Sequence, residues 1–595
     1  MNIVTAATKG RGGVWVLNPP YLLFYPDKNN DDVPDGDPEV VLSGFGLEDT
    51  HSVVNSLRWG PDGWLYACQG STVTASVMRP GLDKEPIAHT MGQQIWRYQP
   101  ETHRFEVFAE GGGNAFGCEI DEKGRVFSGH NGGDTRGFHY MQGAYLQKGF
   151  DKHGPLSNPY AFGYFPPMPH PAVDRFTHNF IIYDGGALPE KYNGRLFGIE
   201  PLQGRVVESD ISPDGSTFKT YDLGYPVTTT DQWFRPVDIK LGPDGAIYVA
   251  DWYDAQVNHY RNHQGQIDKS NGRIYRLRAK DAKPFPRFDL NKLTNLQLVG
   301  LLGHTNKWFR QETLRMLGDR KDSSIVPLLT EMVRTNSGQL ALESLWALNL
   351  SGGLTEQTAK MTLEHADPFV RLWTARLMCD AGQVSPKMER RLVAMAAKET
   401  NIEARAQLAC SARRLPAADD LGIVRVLLAH SEDAQEKRIP LLLWWAIESK
   451  CETDRDAILG MFGDRSLWQW PLVREHILER LMRRYAQAGT RRDLVTCARL
   501  LELSPGVGLS DKLLAGFEAA TKGLSIAELP DELASALAKS GRMPLVLSLR
   551  RGEPGAVDRA LAIISNTSAP IEERVQYLEV FGELKQTQAL PVLLK

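Results

Sequence analysis

The sequence predicts a protein of two parts: an N-terminal β-propeller to about Lys283, then an α-helical repeat array of HEAT type. Three observations predict it. Short strand-like runs broken by tight glycine turns fill the first half. One turn phrase recurs, Trp59-Gly60-Pro61-Asp62-Gly63-Trp64-Leu65-Tyr66 returning as Leu241-Gly242-Pro243-Asp244-Gly245-Ala246-Ile247-Tyr248 and more weakly at Ser212–Ser216. From Leu290 onward Leu, Ala and Met fall at three- and four-residue spacing, the period of a helix face.

The strand-like runs are Gly13–Leu17, Leu57–Cys68, Cys118–Ser128, Arg205–Tyr221 and Ile239–Ala250. All but the first read as strand, turn, strand. Proline presets φ at the first turn position and glycine supplies the left-handed one, so Pro-Asp-Gly between strands is a turn with a mechanism. A hairpin repeated in this way is a blade signature. Four or five blades fit before Lys283 at roughly 40–50 residues each, too few for easy closure, so a further N-terminal part is expected. The Pro-bearing linker Ala279–Pro286 ends this region, giving domains of 1–283 and 284–595. In the second, Arg371, Arg405 and Arg438 lie 34 and 33 residues apart (405 − 371 and 438 − 405). Helix pairs of that period stack as a solenoid, with Trp444, Trp445, Trp468 and Trp470 packing between repeats or lining a partner face.

Composition excludes several classes. A net charge of −4 supplies no basic field for nucleic acid. The longest apolar run, Ile439–Ile447, is far short of the roughly 20 residues of a membrane span. No signal peptide is visible at the N-terminus. The six cysteines form neither a CxxC zinc pair nor a CxxCH haem motif and read as small buried hydrophobes.

Two constellations carry chemistry. Asp27, Asn29, Asp31 and Asp35 occupy positions 1, 3, 5 and 9 of an acidic loop like the front of a calcium site. Asp32 stands at the usual glycine position, and no glutamate follows at position 12. Histidines gather in the first part (51, 89, 103, 130, 139, 153, 170, 178, 259 and 263), several in Gly/Asn/Asp loops such as Asp49-Thr50-His51, Gly129-His130-Asn131-Gly132 and Asn258-His259. Propeller loops converge at one end of the axis, so distant residues can share a pocket.

Leu57–Tyr66, Gly111–Gly133, Trp233–Tyr253 and Asn271–Leu277 resemble the "membrane-bound dehydrogenase domain" proteins of planctomycetes and verrucomicrobia. The propeller of those proteins is similar to the soluble sugar dehydrogenases that use pyrroloquinoline quinone, and HEAT repeats and often a c-type haem domain follow it. The resemblance implies a quinone-dependent oxidation of a sugar or alcohol, a cytochrome c partner and a periplasmic or cell-envelope location. It implies His51 as base, one position off a gap-free match, and His130 from the calcium-bearing loop. Asn114 falls in the cofactor segment, where Gly113 replaces the family's arginine. Arg235, then Asp238, matches the arginine facing the quinone carboxylates, and Asp251 is expected in the same pocket. The alternative is a non-catalytic propeller and HEAT scaffold for glycan or protein ligands; a third, a calcium-dependent lactonase-like hydrolase, lacks an acidic ligand set.

Overall fold

The computed structural model describes residues 3–593 apart from 131, 150–153, 175–176, 257–269, 283, 523–528, 540–544 and 551. Its N-terminal part is sheet-rich and its C-terminal part helical. The chain forms two compact units, Met1–Ser411 and Ala412–Lys595.

The first unit opens with five antiparallel sheets in chain order, and none closes on itself among the described residues. The first comprises β1 (Ala6–Lys9), β2 (Gly13–Asn18), β3 (Tyr21–Pro26) and β4 (Glu39–Phe45), extended by a hairpin of β7 (Ala75–Met78) and β8 (Ala88–Thr90). The second runs β5 (Val54–Trp59), β6 (Leu65–Gln69), β9 (Gln94–Gln99), β10 (Arg104–Glu110). The third holds β11 (Glu119–Ile120), β12 (Val126–Ser128) and β13 (Phe138–Tyr140). The fourth holds β14 (Phe180–Ile182), β15 (Leu196–Glu200), β16 (Arg205–Asp214) and β17 (Thr217–Val227). The fifth is β18 (Pro236–Leu241), β19 (Ile247–Asp251) and β20 (Arg273–Leu277).

The apolar core lies between successive sheets. Trp15, Leu17 and Leu42 of the first meet Val54, Leu65 and Trp96 of the second. Phe127 of the third packs with Phe180 and Leu196 of the fourth. Ile199 and Val206 of the fourth pack with Ile239 and Val249 of the fifth. The hairpin of β7 and β8 was not legible in the sequence; it leaves the second sheet to widen the first.

Helices follow: α1 (Asn295–Gly300), α2 (Lys307–Arg320), α3 (Val326–Thr335), α4 (Gly338–Leu350), α5 (Glu356–Leu363), α6 (Pro368–Met378), α7 (Pro386–Ala396) and α8 (Ile402–Arg414). Up to Ser411 they belong to the same unit as the sheets. The first-hairpin turn of every sheet docks on them. In the first, the Arg11 guanidinium meets Asp319 at 2.6 Å. In the third, Trp373 Nε1 donates to the Lys123 carbonyl at 2.7 Å, and Arg125 forks onto Glu403 at 2.7 and 2.8 Å. In the fourth, Asp184 accepts from Arg310 and from the Lys307 backbone. In the fifth, Asn306 caps α2 through Oδ1 while its Nδ2 donates to the carbonyls of Gly242 and Pro243, both at 3.0 Å.

The second sheet's turn carries the most buried contact. Asp62 Oδ2 accepts from Tyr66 at 2.6 Å, Arg97 at 3.1 Å and Arg376 at 3.3 Å. Arg97 also reaches Asp380 at 2.6 Å and lies 3.9 Å over the Trp64 ring, whose Nε1 donates to the same carboxylate. The side chains of Arg97 and Asp62 are wholly buried.

The described residues beyond 411 continue as helices, the last at Leu590–Leu593. Trp444, Trp445 and Trp468 are fully buried there, and Arg455–Asp493 and Arg484–Glu448 form buried ion pairs at 2.6 and 3.0 Å.

Removing Asp62 would leave two guanidinium groups buried without that carboxylate. Asp62→Ala is therefore expected to destabilise the first unit by about 3–5 kcal/mol, read by denaturant unfolding; a loss below about 1 kcal/mol would contradict the role given to it.

Glu343, on α4, gives a pH signature. Burial pushes its carboxyl up to about 7, although Arg310 at 2.8 Å and Gln339 oppose the shift. A carboxyl whose folded value exceeds its unfolded one stabilises fully below the unfolded value, and that stability is lost as pH rises to the folded value. The first unit should thus lose stability on the order of 3 kcal/mol between about pH 4.5 and 7 from this group. Glu343→Gln should remove that slope, measured as unfolding free energy against pH; an unchanged slope would assign it elsewhere.

Candidate functional site at the free end of the sheets

The register places the candidate residues. In the second sheet Val54 pairs with Gln69 at one end and Trp59 with Leu65 beside the docked turn. The start of each first strand and the finish of each second strand therefore lie at the end away from the helices. His51, Asn114, His130, Arg235 and Asp251 all fall at that free end, and Asp238 lies two residues into β18.

The segment Gly113–Gly117 is the hub. Asn114 Oδ1 accepts from the Ser71 backbone at 2.7 Å. Asn55 accepts from Gly117 N at 3.3 Å and donates to the Ala115 carbonyl at 3.2 Å. Ser56 Oγ also accepts from Gly117 N, at 3.0 Å. His51 joins through its neighbours: Ser52 Oγ donates to the Ser71 carbonyl, and Asp49 holds His51 from the side. Asp49 Oδ1 accepts the His51 backbone N–H at 3.0 Å and lies 3.6 Å from its Nδ1, while Oδ2 accepts from Thr72 at 3.1 Å. Burial pushes the Asp49 carboxyl up, but these N–H and O–H donors and the nearby imidazole outweigh it and hold it below the usual range.

His130 packs against the same hub. A Cβ on Gly113 would lie 1.8 Å from His130 Nδ1, and one on Gly132 2.3 Å from its Nε2. Gly113 also has φ +73°. The arginine of the resembled family has no room at this position, because the His130 ring fills the space and the backbone favours glycine.

A second pair of residues continues the cluster into the fourth and fifth sheets. His178 stacks on Phe116 with centroids 4.0 Å apart. Burial depresses its imidazole to about 4, with Asp238 and a backbone bond at Val237 opposing. Asn179 donates to Asp238 at 2.5 Å and covers Gly117 so closely that a Cβ there would lie 1.8 Å from its Oδ1. Asp238 also accepts from Lys240 at 2.9 Å.

Arg235 and Asp251 form their own knot. Asp251 Oδ1 accepts from the backbones of Arg235 and Tyr253, both at 2.8 Å. The Arg235 guanidinium donates to the carbonyls of Phe234 at 2.8 Å and Ala255 at 2.7 Å. Its burial lowers its pKa, with Asp254, Asp251 and Asp231 opposing. Sequence reasoning missed Asn55, Ser56, Ser71 and Asn179. Their one signal was polar side chains in or beside short strands: Asn55 and Ser56 lie in β5, Ser71 two residues after β6 and Asn179 just before β14. Asn131, His153, Asn258, His259 and His263 lie outside the described residues. His89, His103 and His170 bond Ser76, Tyr98 and Thr220.

The acidic loop between β3 and β4 is knotted on itself. Asp27 accepts from the backbones of Asp31 and Asp32, Asn29 from Asp31, Asp31 from Val33, and Asp35 from Lys28. Lys9 Nζ stands 2.8 Å from Asp32 and 3.6 Å from Asp27. Among the described residues no group of three or more His, Cys, Asp or Glu is arranged to hold a metal, and no helix is long and apolar enough to cross a membrane.

Residues 1–281, the sheet-bearing part, match a family described as a domain of unknown function, DUF7133. A comparison with curated proteins finds no match. Among solved structures, 46% of the chain aligns with 96% of an oxidoreductase (glucose dehydrogenase) from Thermus thermophilus, at 15% identity and a TM-score of 0.27. A further 47% alignment covers 82% of the pyrroloquinoline quinone-bound aldose sugar dehydrogenase of Streptomyces coelicolor, at 15% identity and 0.30. A luciferin-regenerating enzyme aligns over 47% of this chain and 78% of its own, at 12% and 0.27. Likenesses of that strength leave function to be argued from this chain's own residues.

His178 supplies a local check. A histidine depressed in the fold contributes stability that is present above its ordinary value near 6.5 and lost as pH falls toward about 4. Its imidazole resonances should stay those of a neutral ring down to pH 5. Titration near 6.5 would show the ring to be solvated.

Proposed function

We propose that the free end of the sheets binds a hydroxyl-bearing small molecule, a sugar or alcohol, and that the chain is an oxidoreductase of the quinone-dependent dehydrogenase kind. The observation that carries this is the Thr72–Asp49–His51 series beside Asn114. The Asp49 carboxylate, 3.6 Å from His51 Nδ1, stands where it would support the cation a histidine becomes when it serves as general base. His51 is about one-third exposed, so its imidazole would take a substrate hydroxyl proton while the Asn114 amide meets a second oxygen. The Asn55, Asn114 and Asn179 amides around the hub offer a polyol neutral donors and acceptors.

A bound quinone would supply the two-electron acceptor. A tricarboxylate of that kind needs guanidinium partners, and Arg235 fits only by turning its amino groups from the Phe234 and Ala255 carbonyls. Calcium at Asp27, Asn29, Asp31 and Asp35 would have to displace Lys9. On this reading the sheets are a propeller, the boundary lies near residue 283, HEAT-type helices form a scaffold for a protein partner, and electrons leave to a c-type haem protein at the cell envelope. The engaged guanidinium of Arg235 favours a second reading, a non-catalytic binder of glycan or protein.

The test is titration with pyrroloquinoline quinone, with and without calcium, followed by dye reduction with a panel of aldoses and alcohols. Saturable quinone binding is expected, with turnover falling about 10²–10⁴-fold in His51→Gln and binding weakened in Arg235→Ala. Aldose or glycan binding without any quinone binding would establish the second reading. A calcium-raised melting temperature that survives Asp31→Ala would move the metal from the acidic loop.

A further inference from the structure

Helix α4 carries two buried polar side chains one turn apart, Glu343 at 3% and Trp346 at 2% exposure. Residues three apart on a helix are neighbours on its surface. Glu343 Oε1 is engaged, accepting from Arg310 Nε and Gln339 Nε2, both at 2.8 Å. Its Oε2 and the Trp346 indole N–H are also buried, and neither bonds any group among the described residues. Buried polar atoms are hydrogen-bonded with few exceptions, so two on one helical turn call for a shared partner. Both residues line one small cavity, walled also by Trp59, Gly60, Asp121 and Lys307. It has about 20 Å³ of room for the centre of a water-sized sphere. One water needs roughly 10–15 Å³ by that measure.

The chemistry of the two atoms selects the occupant. An indole N–H only donates, so whatever answers it must accept, which a metal ion or an ammonium group cannot do. A carboxylate oxygen only accepts, so whatever answers it must donate, which an anion cannot do. The Lys307 ammonium in the wall adds to the case against a cation. We propose that this cavity binds one structural water, which accepts from Trp346 Nε1 and donates to Glu343 Oε2. When the carboxyl takes up a proton, its O–H donates and the same water accepts, so the occupant serves both states. The site matters because of what Glu343 holds. Arg310 also donates to Asp184 in the turn of the fourth sheet, and Gln339 to the Glu122 carbonyl in the turn of the third. The water thus completes a carboxyl on which two docked turns converge. It belongs to the docked end and does not depend on the proposed function.

The test is nuclear magnetic resonance of the full chain with isotope-labelled indole nitrogens. The resonance missing from Trp346→Phe identifies Trp346 among the thirteen tryptophans. In the unaltered chain its N–H should show a direct nuclear Overhauser effect from water, with the sign of a long-lived bound molecule. Glu343→Met, which removes Oε2, should abolish that effect while the resonance itself remains. A crystal structure of the unaltered chain should place one water within about 3.2 Å of both atoms, and it decides if a variant fails to fold. No effect from water at Trp346, an effect that survives Glu343→Met, a direct Glu343–Trp346 hydrogen bond, or a metal ion in the cavity would overturn the assignment.

Discussion

The contact on which the first unit depends is the wholly buried ion pair of Arg97 and Asp62, shared with Arg376 and Asp380. Burying a guanidinium is costly unless its N–H groups and charge are answered in place. Here carboxylates answer from both sides, Asp62 and Glu106 from the second sheet and Asp380 from the residues after α6. The Trp64 ring covers the flat face. None of these partners can leave without stranding a charge in a dry seam. The interaction therefore specifies where the helices sit on the sheets more sharply than apolar contact could.

The other sheets repeat the device with different chemistry. Lys307, itself buried, reaches Glu119 and the Ile182 carbonyl, bringing the third and fourth sheets to the start of α2. Arg58 answers the second oxygen of Glu119; burial raises that carboxyl, but the two cations outweigh it and hold it below its ordinary range. Gly124 accepts the Trp373 ring where any Cβ would fall 2.3 Å from it. Each sheet gives its turn to the helices, which leaves its opposite end to the hub.

This division explains what could be read from the sequence. The Gly-Pro-Asp-Gly turns at Gly60–Gly63 and Gly242–Gly245, and the change of period after Leu290, follow from local backbone rules, and the elements stand where those rules put them. That the turns are docking points was not legible, because Asp62 looks like any turn aspartate until Arg376 and Asp380 arrive from over 300 residues away. At the free end, His51, Asn114 and His130 were visible as polar residues in loops. Asn55 and Asn179 were not, since their work is to bond backbone groups of the Gly113–Gly117 segment and Asp238. Arg235 was read from a motif, and motif reading carries no information about the carbonyls its guanidinium has already taken.

The two ends also differ in how freely they can vary. Charges removed from water at the docked end are interdependent, so substitutions there cannot be made one at a time without leaving a buried partner unanswered. At the free end the hub is held by neutral amide and hydroxyl bonds to backbone, each worth roughly 1 kcal/mol net. A single such bond can be exchanged while the sheets remain anchored from the other side. Gly113 shows the trade: its space goes to the His130 ring instead of a side chain of its own. A scaffold fixed at one end by charge and adjustable at the other by hydrogen bonds can change its ligand without changing its fold.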